Sequence, residues 1–180
     1  HTHEYIRTGS FDSKFGFGIE YLNILFASIS DTKHLKLKGL HAHIGSQIFE
    51  LDPHKDLGEI MIKVILEAKK FGHDIEELNV GGGLGIKYTE NDDPPSIDEW
   101  VKTISSSVVK ACEKNNLDLP TLMCEPGRSI VSTAGITVYK IGAFKEIPGI
   151  RTYLSVDGGM SDNPRPVSYT HLRAHETSRY

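Results

Sequence analysis

What most constrains this chain is a repeated order of segments. Short apolar stretches end near positions 44, 80 and 124, and each runs into a polar or glycine-rich loop. The first, 35–44, alternates apolar with other residues and stops at Gly45-Ser46, which predicts a strand. Behind it Asp52-Pro53 supplies an N-cap and a first-turn proline. Leu57, Ile60, Met61, Val64, Ile65, Ala68 and Phe71 then recur at helical spacing as one apolar stripe, with Gly72 where the helix should stop. A second unit repeats the plan. A strand over 75–80 runs into Gly81-Gly82-Gly83-Leu84-Gly85, and a surface loop follows over 91–95. Ser96 and Glu99 form a capping box ahead of Trp100, Val101, Ile104, Val108 and Ala111. A third strand, 120–124, ends at Glu125-Pro126-Gly127-Arg128, and an earlier helix is expected over Leu22, Leu25, Phe26 and Ile29.

Alternation of this kind predicts an α/β fold with parallel strands joined by right-handed crossovers. It also sends the loops 43–46, 81–83 and 125–128 to one face, the carboxyl ends of the strands, where parallel α/β folds bind ligands. After Val131 the pattern changes. Segments 136–144 and 152–156 read as strands with no helix between them, the start of an all-β region. From Val167 to Tyr180 the chain is nearly free of apolar residues and has no period.

Composition removes several classes of function. Among 180 residues, 38% are hydrophobic and 24% charged, as in a soluble globular protein able to bury a core. Twenty Lys plus Arg against 24 Asp plus Glu give a net charge of -4, which excludes a strongly basic nucleic-acid binder. No basic cluster marks a membrane-surface patch, and no apolar run reaches the about 18 residues of a membrane span. Two cysteines, Cys112 and Cys124, build no disulfide framework and favour a reducing compartment.

Each loop carries a functional reading beside a plainer one. Gly81-Gly82-Gly83 lets backbone N–H groups approach an anion such as phosphate, or is simply a tight turn. It matches neither the dinucleotide fingerprint nor a Walker loop. His41 and His43 alternate on one strand, so they share a face. They suit a metal-dependent barrel hydrolase only if other strand ends add ligands, and 79–83 and 124–128 offer no convincing set. Glu125 and Arg128 are either an exposed ion pair of little worth or, in a closed pocket, a partner for a cationic ring nitrogen and a clamp for phosphate or carboxylate. Arg165, held between two prolines, suits carboxylate recognition or is merely solvated.

Taken together, these stretches resemble the diaminopimelate decarboxylases, within the alanine-racemase-like, fold-type III pyridoxal phosphate enzymes that include ornithine and arginine decarboxylases. The resemblance runs from residue 1 to about 166. Its elements are Thr2-His3-x-Tyr5-Ile6-x-Thr8-Gly9, Asp12-Ser13-Lys14-Phe15-Gly16, Gly39-Leu40-His41-x-His43-Ile44-Gly45-Ser46-Gln47, Gly81-Gly82-Gly83-Leu84-Gly85, Cys124-Glu125-Pro126-Gly127-Arg128 and Asp157-Gly158-Gly159-Met160-x-Asp162-Asn163-Pro164-Arg165-Pro166. The glycine-rich and Glu-Pro-Gly-Arg elements are common to the wider class, whereas Thr8-Gly9-x-x-Asp12-Ser13-Lys14-Phe15-Gly16 and Asp162-Asn163-Pro164-Arg165-Pro166 are more particular to the diaminopimelate branch.

The resemblance implies a partial (β/α)8 barrel over 1–131, the start of a C-terminal β-domain over 132–166, and a tail, 167–180, foreign to both. That tail reads as adaptor-derived sequence or as a divergent extension. The implied cofactor is pyridoxal 5'-phosphate. His43 would stack on its ring, Ser46 would lie near its phosphate, and Gly81, Gly82, Gly83, Gly127 and Arg128 would hold that phosphate. Glu125 would pair with the pyridine nitrogen. Arg128 and Arg165 would bind substrate carboxylates, and Tyr169 stands at the spacing of a further substrate contact. No metal is implied.

The implied reaction is decarboxylation of meso-diaminopimelate to L-lysine and CO2 by a cytoplasmic homodimer with its site at the subunit interface. Carboxynorspermidine, ornithine or arginine is the alternative substrate. In the family the Schiff-base lysine precedes the stretch matched here, and a cysteine-glutamate element from the partner follows it. The chain is therefore expected to be an internal fragment, inactive by itself. Outside this family, a metal-dependent barrel hydrolase or a non-catalytic piece are the remaining alternatives.

Overall fold

The computed structural model describes residues 14–162. The chain divides into two compact units, with the boundary between Ala134 and Gly135.

In the first unit a turn of 3-10 helix, Ile19–Tyr21, leads into α1, Leu22–Ser30. Then come β1 (Gly39–His41), α2 (Asp52–Lys70), β2 (Glu77–Asn79), α3 (Ile97–Asn115), β3 (Thr121–Met123) and the short α4 (Gly127–Val131). The strands form a parallel sheet in the order β1-β2-β3. Its register sets Gly39, Glu77 and Thr121 in one row and His41, Asn79 and Met123 in another. The regular strands are shorter than the apolar stretches that encode them, but pairing continues past their carboxyl ends. Ala42 N–H donates to the Asn79 carbonyl (3.0 Å), Val80 N–H to Met123 (3.0 Å) and Glu125 N–H to Gly81 (2.7 Å). Further along both segments, Ile48 bridges Leu84 in parallel.

The capping box of α3 forms as its sequence requires. Ser96 Oγ accepts from Glu99 N–H (3.2 Å), and the Glu99 carboxylate accepts from Ser96 N–H (2.9 Å). The start of α2 differs from expectation. Leu51 occupies the N-cap without a side-chain bond, and Asp52 lies in the first turn, where its charge meets the positive end of the helix. Its other end stops as expected. Gly72, at φ 82°, donates to the Lys69 carbonyl while His73 donates to Ala68, the paired closure of a left-handed cap.

The core lies between the sheet and α1–α3. Phe26, Leu57, Met61, Ile62, Ile65, Ala68, Leu78, Val80, Leu84, Trp100, Ile104 and Val108 are buried there. The buried arc of α2 includes His54, Gly58 and Ile62. Ile60, counted with the apolar stripe, is 45% exposed instead. At 3.6 residues per turn it lies roughly 130° from the centre of that arc. Val101 of α3 is exposed in the same way. Where the two long helices meet, Gly58 faces Ser107, and Ser107 Oγ donates to the Lys55 carbonyl (2.5 Å). At the opposite end of the strands, Glu76 receives both Lys36 and Lys38, an exposed cluster that holds its carboxyl down at about 2.

The second unit is an antiparallel pair, β4 (Ile141–Ile147) and β5 (Arg151–Val156), turned over Gly149. The first of these strands starts and ends later than the apolar segment 136–144 predicts. Beyond β5, Asp157 Oδ1 accepts from Lys140 N–H (2.9 Å), and Asp162 closes a turn on Gly159 N–H (2.7 Å). Arg165 and Tyr169 lie outside the described residues.

Candidate cofactor site

The three loops expected to share a face meet at the carboxyl ends of β1, β2 and β3. Glycine allows them to meet. A Cβ on Gly82 would run into the Glu125 carbonyl oxygen, and one on Gly83 into the Gly45 carbonyl oxygen. Gly83 also has a φ of 99°, a conformation that L side chains rarely adopt. The glycines are thus required first by the neighbouring backbones, which wedge the 81–83 loop between the other two.

That wedge assigns the loop's N–H groups. Gly81 N–H is taken by Asn79 Oδ1 (2.9 Å), and Gly82 N–H faces His43 Nδ1 at 3.3 Å. Gly83 N–H has no acceptor among the described residues and stays available. Burial is the main cause that pushes the His43 pKa below the ordinary histidine value, and His41 adds to it against the opposing pull of Glu125. A neutral imidazole accepting at Nδ1 carries its proton on Nε2.

Arg128, in α4, is half-buried and turned away from Glu125. Its Nε and Nη2 donate to Ser46 Oγ at 3.2 and 2.8 Å, and Nη1 donates to the Tyr88 hydroxyl. The Tyr88 ring also lies 5.7 Å from the guanidinium carbon. Asp92 fixes the loop that carries this tyrosine, accepting from Tyr88 N–H (2.9 Å) and Thr89 N–H (2.7 Å). Opposite, Glu125 Oε1 accepts from Asn79 Nδ2 (2.7 Å), and Oε2 lies 3.9 Å from His41 Nε2. The Glu125 and Arg128 reading as a mutual surface ion pair therefore gives way to two separate networks.

His43, Ser46, the 81–83 loop, Glu125, Gly127 and Arg128 are thus brought to one face. Asn79 and Tyr88 were missed. An asparagine two residues before a glycine at a strand end is a recognisable turn signal, since its side chain can accept from the backbone two positions on. Tyr88 has no such signal, because its partner is 40 residues away. The sequence of 125–128 gives no sign of the helix α4, whose five residues are too few to show a period. Among the described residues no group of three or more His, Cys, Asp and Glu side chains could hold a metal ion.

This face divides a phosphate-like end, with a guanidinium, a serine hydroxyl and a free amide, from a carboxylate end. Comparison with known proteins assigns the combination to a class. Residues 1–132 match the family model for the pyridoxal binding domain of pyridoxal-dependent decarboxylases, and the chain belongs to that family. A diaminopimelate decarboxylase from Synechocystis sp. is 56% identical over 169 residues, 94% of this chain and 36% of that protein. One from Bacillus subtilis is 42% identical over 172 residues, covering 94% of this chain and 39% of its own length. The chain therefore spans well under half of the curated relatives it matches.

Among solved structures, diaminopimelate decarboxylase from M. jannaschii in complex with L-lysine superposes with a TM-score of 0.78 at 32% identity, over 91% of this chain and 37% of that one. The enzyme from Helicobacter pylori complexed with L-lysine gives 0.75 at 30% identity, over 92% and 39%. The three βα units are part of a (β/α)8 barrel, and the family's cofactor is pyridoxal phosphate.

The residues present fit that cofactor. Gly83 N–H and the Arg128 guanidinium suit a dianionic phosphate, and the Glu125 carboxylate, held by Asn79, suits a protonated ring nitrogen. Among the described residues no helix is long and apolar enough to cross a membrane.

Proposed function

We propose that this chain is the cofactor-holding part of an enzyme that decarboxylates meso-diaminopimelate to L-lysine and CO2. The observation carrying this reading is the separation of charge across one face, with Arg128 and Ser46 at one end and Glu125 on Asn79 at the other. The loop 81–83 lies between the two ends, and the relatives and solved structures with the same framework are named for that substrate. Bound pyridoxal phosphate supplies an electron sink for the pair left when a carboxylate departs as CO2.

The chain's own residues hold and tune that group. Gly83 N–H, Ser46 and Arg128 would take the phosphate, and Gly127 would line it, its own N–H being donated to the Glu125 carbonyl. Gly81 and Gly82 contribute the shape of the cradle, their N–H groups being engaged by Asn79 and His43. His43, neutral and half-buried, would lie against the ring, and Glu125 would keep the pyridine nitrogen protonated. With three of its five N–H donors engaged by Ser46 and Tyr88, Arg128 would keep donors for a substrate carboxylate, with Arg165 and Tyr169 as further contacts. The chain spans well under half of its relatives' length, so the activity is proposed for a protein that carries this segment.

The same reading gives a barrel part over 1–131, the beginning of a β-domain over 132–166 and a separate tail over 167–180, in a cytoplasmic homodimer with a shared site. The boundary between compact units at Ala134 supports this division.

Two measurements test the proposal. Pyridoxal phosphate should bind the full chain, and Arg128→Ala should weaken it more than tenfold, as loss of a charge-assisted pair requires. The protein carrying this segment should release CO2 and lysine from meso-diaminopimelate. Turnover of ornithine or arginine in its place would move the assignment within the family, and zinc binding without affinity for pyridoxal phosphate would overturn it.

A further inference from the structure

We propose that Asn79 is a positioning residue that holds the Glu125 carboxylate and the turn of the 81–83 loop as one unit, so that the two ends of the site keep a fixed separation. This rests on the cofactor reading above and adds a residue to it. Asn79 ends β2, in register with His41 and Met123, and its carbonyl is fixed by Ala42 N–H at 3.0 Å. Both ends of its side chain are used. Oδ1 accepts from Gly81 N–H at 2.9 Å, and Nδ2 donates to Glu125 Oε1 at 2.7 Å. The backbone adds a second tie, since Glu125 N–H donates to the Gly81 carbonyl at 2.7 Å.

Glu125 needs the side-chain tie. Its side chain is 59% exposed, and its other side-chain neighbour, His41 Nε2, stands at 3.9 Å, beyond hydrogen-bonding distance. Without Asn79 the carboxylate would be free to swing into solvent. The amide is suited to the position, because aspartate could accept from Gly81 but would offer Glu125 no donor and a like charge.

Serine separates the two ties. Asn79→Ser keeps a short acceptor for the N–H two residues on but cannot reach Glu125, whereas Asn79→Ala loses both ties. The full chain and both variants are titrated with pyridoxal phosphate and, separately, with inorganic phosphate. Their folding is checked by circular dichroism, and the protonation of the cofactor's ring is read from the 15N signal of labelled pyridoxal phosphate. Asn79→Ala should weaken both ligands about tenfold, the scale of one hydrogen bond to a charged group. Asn79→Ser should leave inorganic phosphate within about twofold, weaken pyridoxal phosphate about tenfold and move the ring signal toward the neutral form.

Unchanged pyridoxal phosphate binding and an unchanged ring signal in Asn79→Ser would overturn the proposal. So would an equal loss of both ligands in that variant, which a general loosening would produce. If the unsubstituted chain binds no pyridoxal phosphate, the cofactor reading fails. The Asn79 assignment is then decided by NMR of the ligand-free chain. The Gly81 amide should shift in Asn79→Ala and stay in Asn79→Ser, and the Glu125 side-chain carboxyl carbon should shift in both. Signals that stay in place would overturn it.

Discussion

Between α2, α3 and the sheet, contacts are almost all apolar. Ile62, Leu78 and Trp100 are fully buried, and helix meets helix at Gly58 and Ser107. At the carboxyl ends of β1–β3 the chain is instead held by side chains reaching across the sequence: Asn79 to Glu125, Arg128 to Ser46 and Tyr88, Gln47 to Ile86. Apolar burial is non-directional and fixes where layers sit, whereas hydrogen bonds between loops fix where individual atoms sit. The two regions should therefore respond differently to damage. The helical layer should lose stability and the loop face should lose binding.

The largest effect should come from the layer. Trp100 is fully buried on α3, and truncating such a side chain removes its transfer energy and leaves a cavity. Trp100→Ala should cost about 3–5 kcal/mol in urea denaturation, enough to unfold much of the chain. A loss below about 1 kcal/mol would mean that the layer is less continuous than its burial indicates.

A second test of the layer uses protons. His54 is 1% exposed beside Trp100, 5.5 Å between ring centres at 84°, and neither ring nitrogen has a hydrogen-bond partner among the described residues. Burial, aided by the nearby His43, pushes its pKa down to about 4 from the ordinary value near 6.5. The unfolded chain thus takes up this proton first as pH falls. The stabilisation is complete above about pH 6.5, declines through the window and is exhausted near pH 4, a span of about 3 kcal/mol. Urea midpoints measured across that window should fall with pH, and His54→Phe should flatten the slope. An unaltered slope in that variant would assign the titration elsewhere.

On the loop face the matching test is Gly82→Ala. The added Cβ meets backbone, the Glu125 carbonyl oxygen, so relief requires a shift of the loop. Overpacking of this kind costs about 1–3 kcal/mol. That shift moves the adjacent Gly83 N–H and the Glu125 backbone, so affinity for pyridoxal phosphate should fall further than stability does. Equal losses in calorimetric titration and thermal melting would erase the proposed contrast between the regions.

The same contrast marks how far the sequence could be read. The βα order, the capping box at Ser96 and the stop at Gly72 follow from local signals, so they were legible residue by residue. Ile60 misled because apolar spacing counts a residue without saying which side meets the sheet. The true arc takes in His54 and Gly58, which no apolar tally includes. At the loop face, residue types and strand ends pointed to His43, Ser46, Glu125 and Arg128. Their pairing could not be foreseen, because Arg128 could equally have closed on Glu125 three residues away. Its turn toward Ser46 depends on register between separate strands. Asn79 has a local signal for only one of its two bonds, and the long-range one gives it significance.

The smallest expected effect is at Gly127, and it is the sharpest comparison with Gly82. Both glycines lie in strand-end loops and both were read as phosphate contacts. Nothing lies within 4 Å of where a Gly127 Cβ would stand, and the residue opens α4, where alanine is the better helix former. Its N–H, donated to the Glu125 carbonyl at 2.8 Å, is untouched by the substitution. Gly127→Ala should leave stability within about 0.5 kcal/mol and affinity for inorganic phosphate within about twofold, read by the same melting and titration used for Gly82→Ala. A loss of binding without a loss of stability would mean that a ligand approaches Gly127 as closely as the Glu125 backbone approaches Gly82.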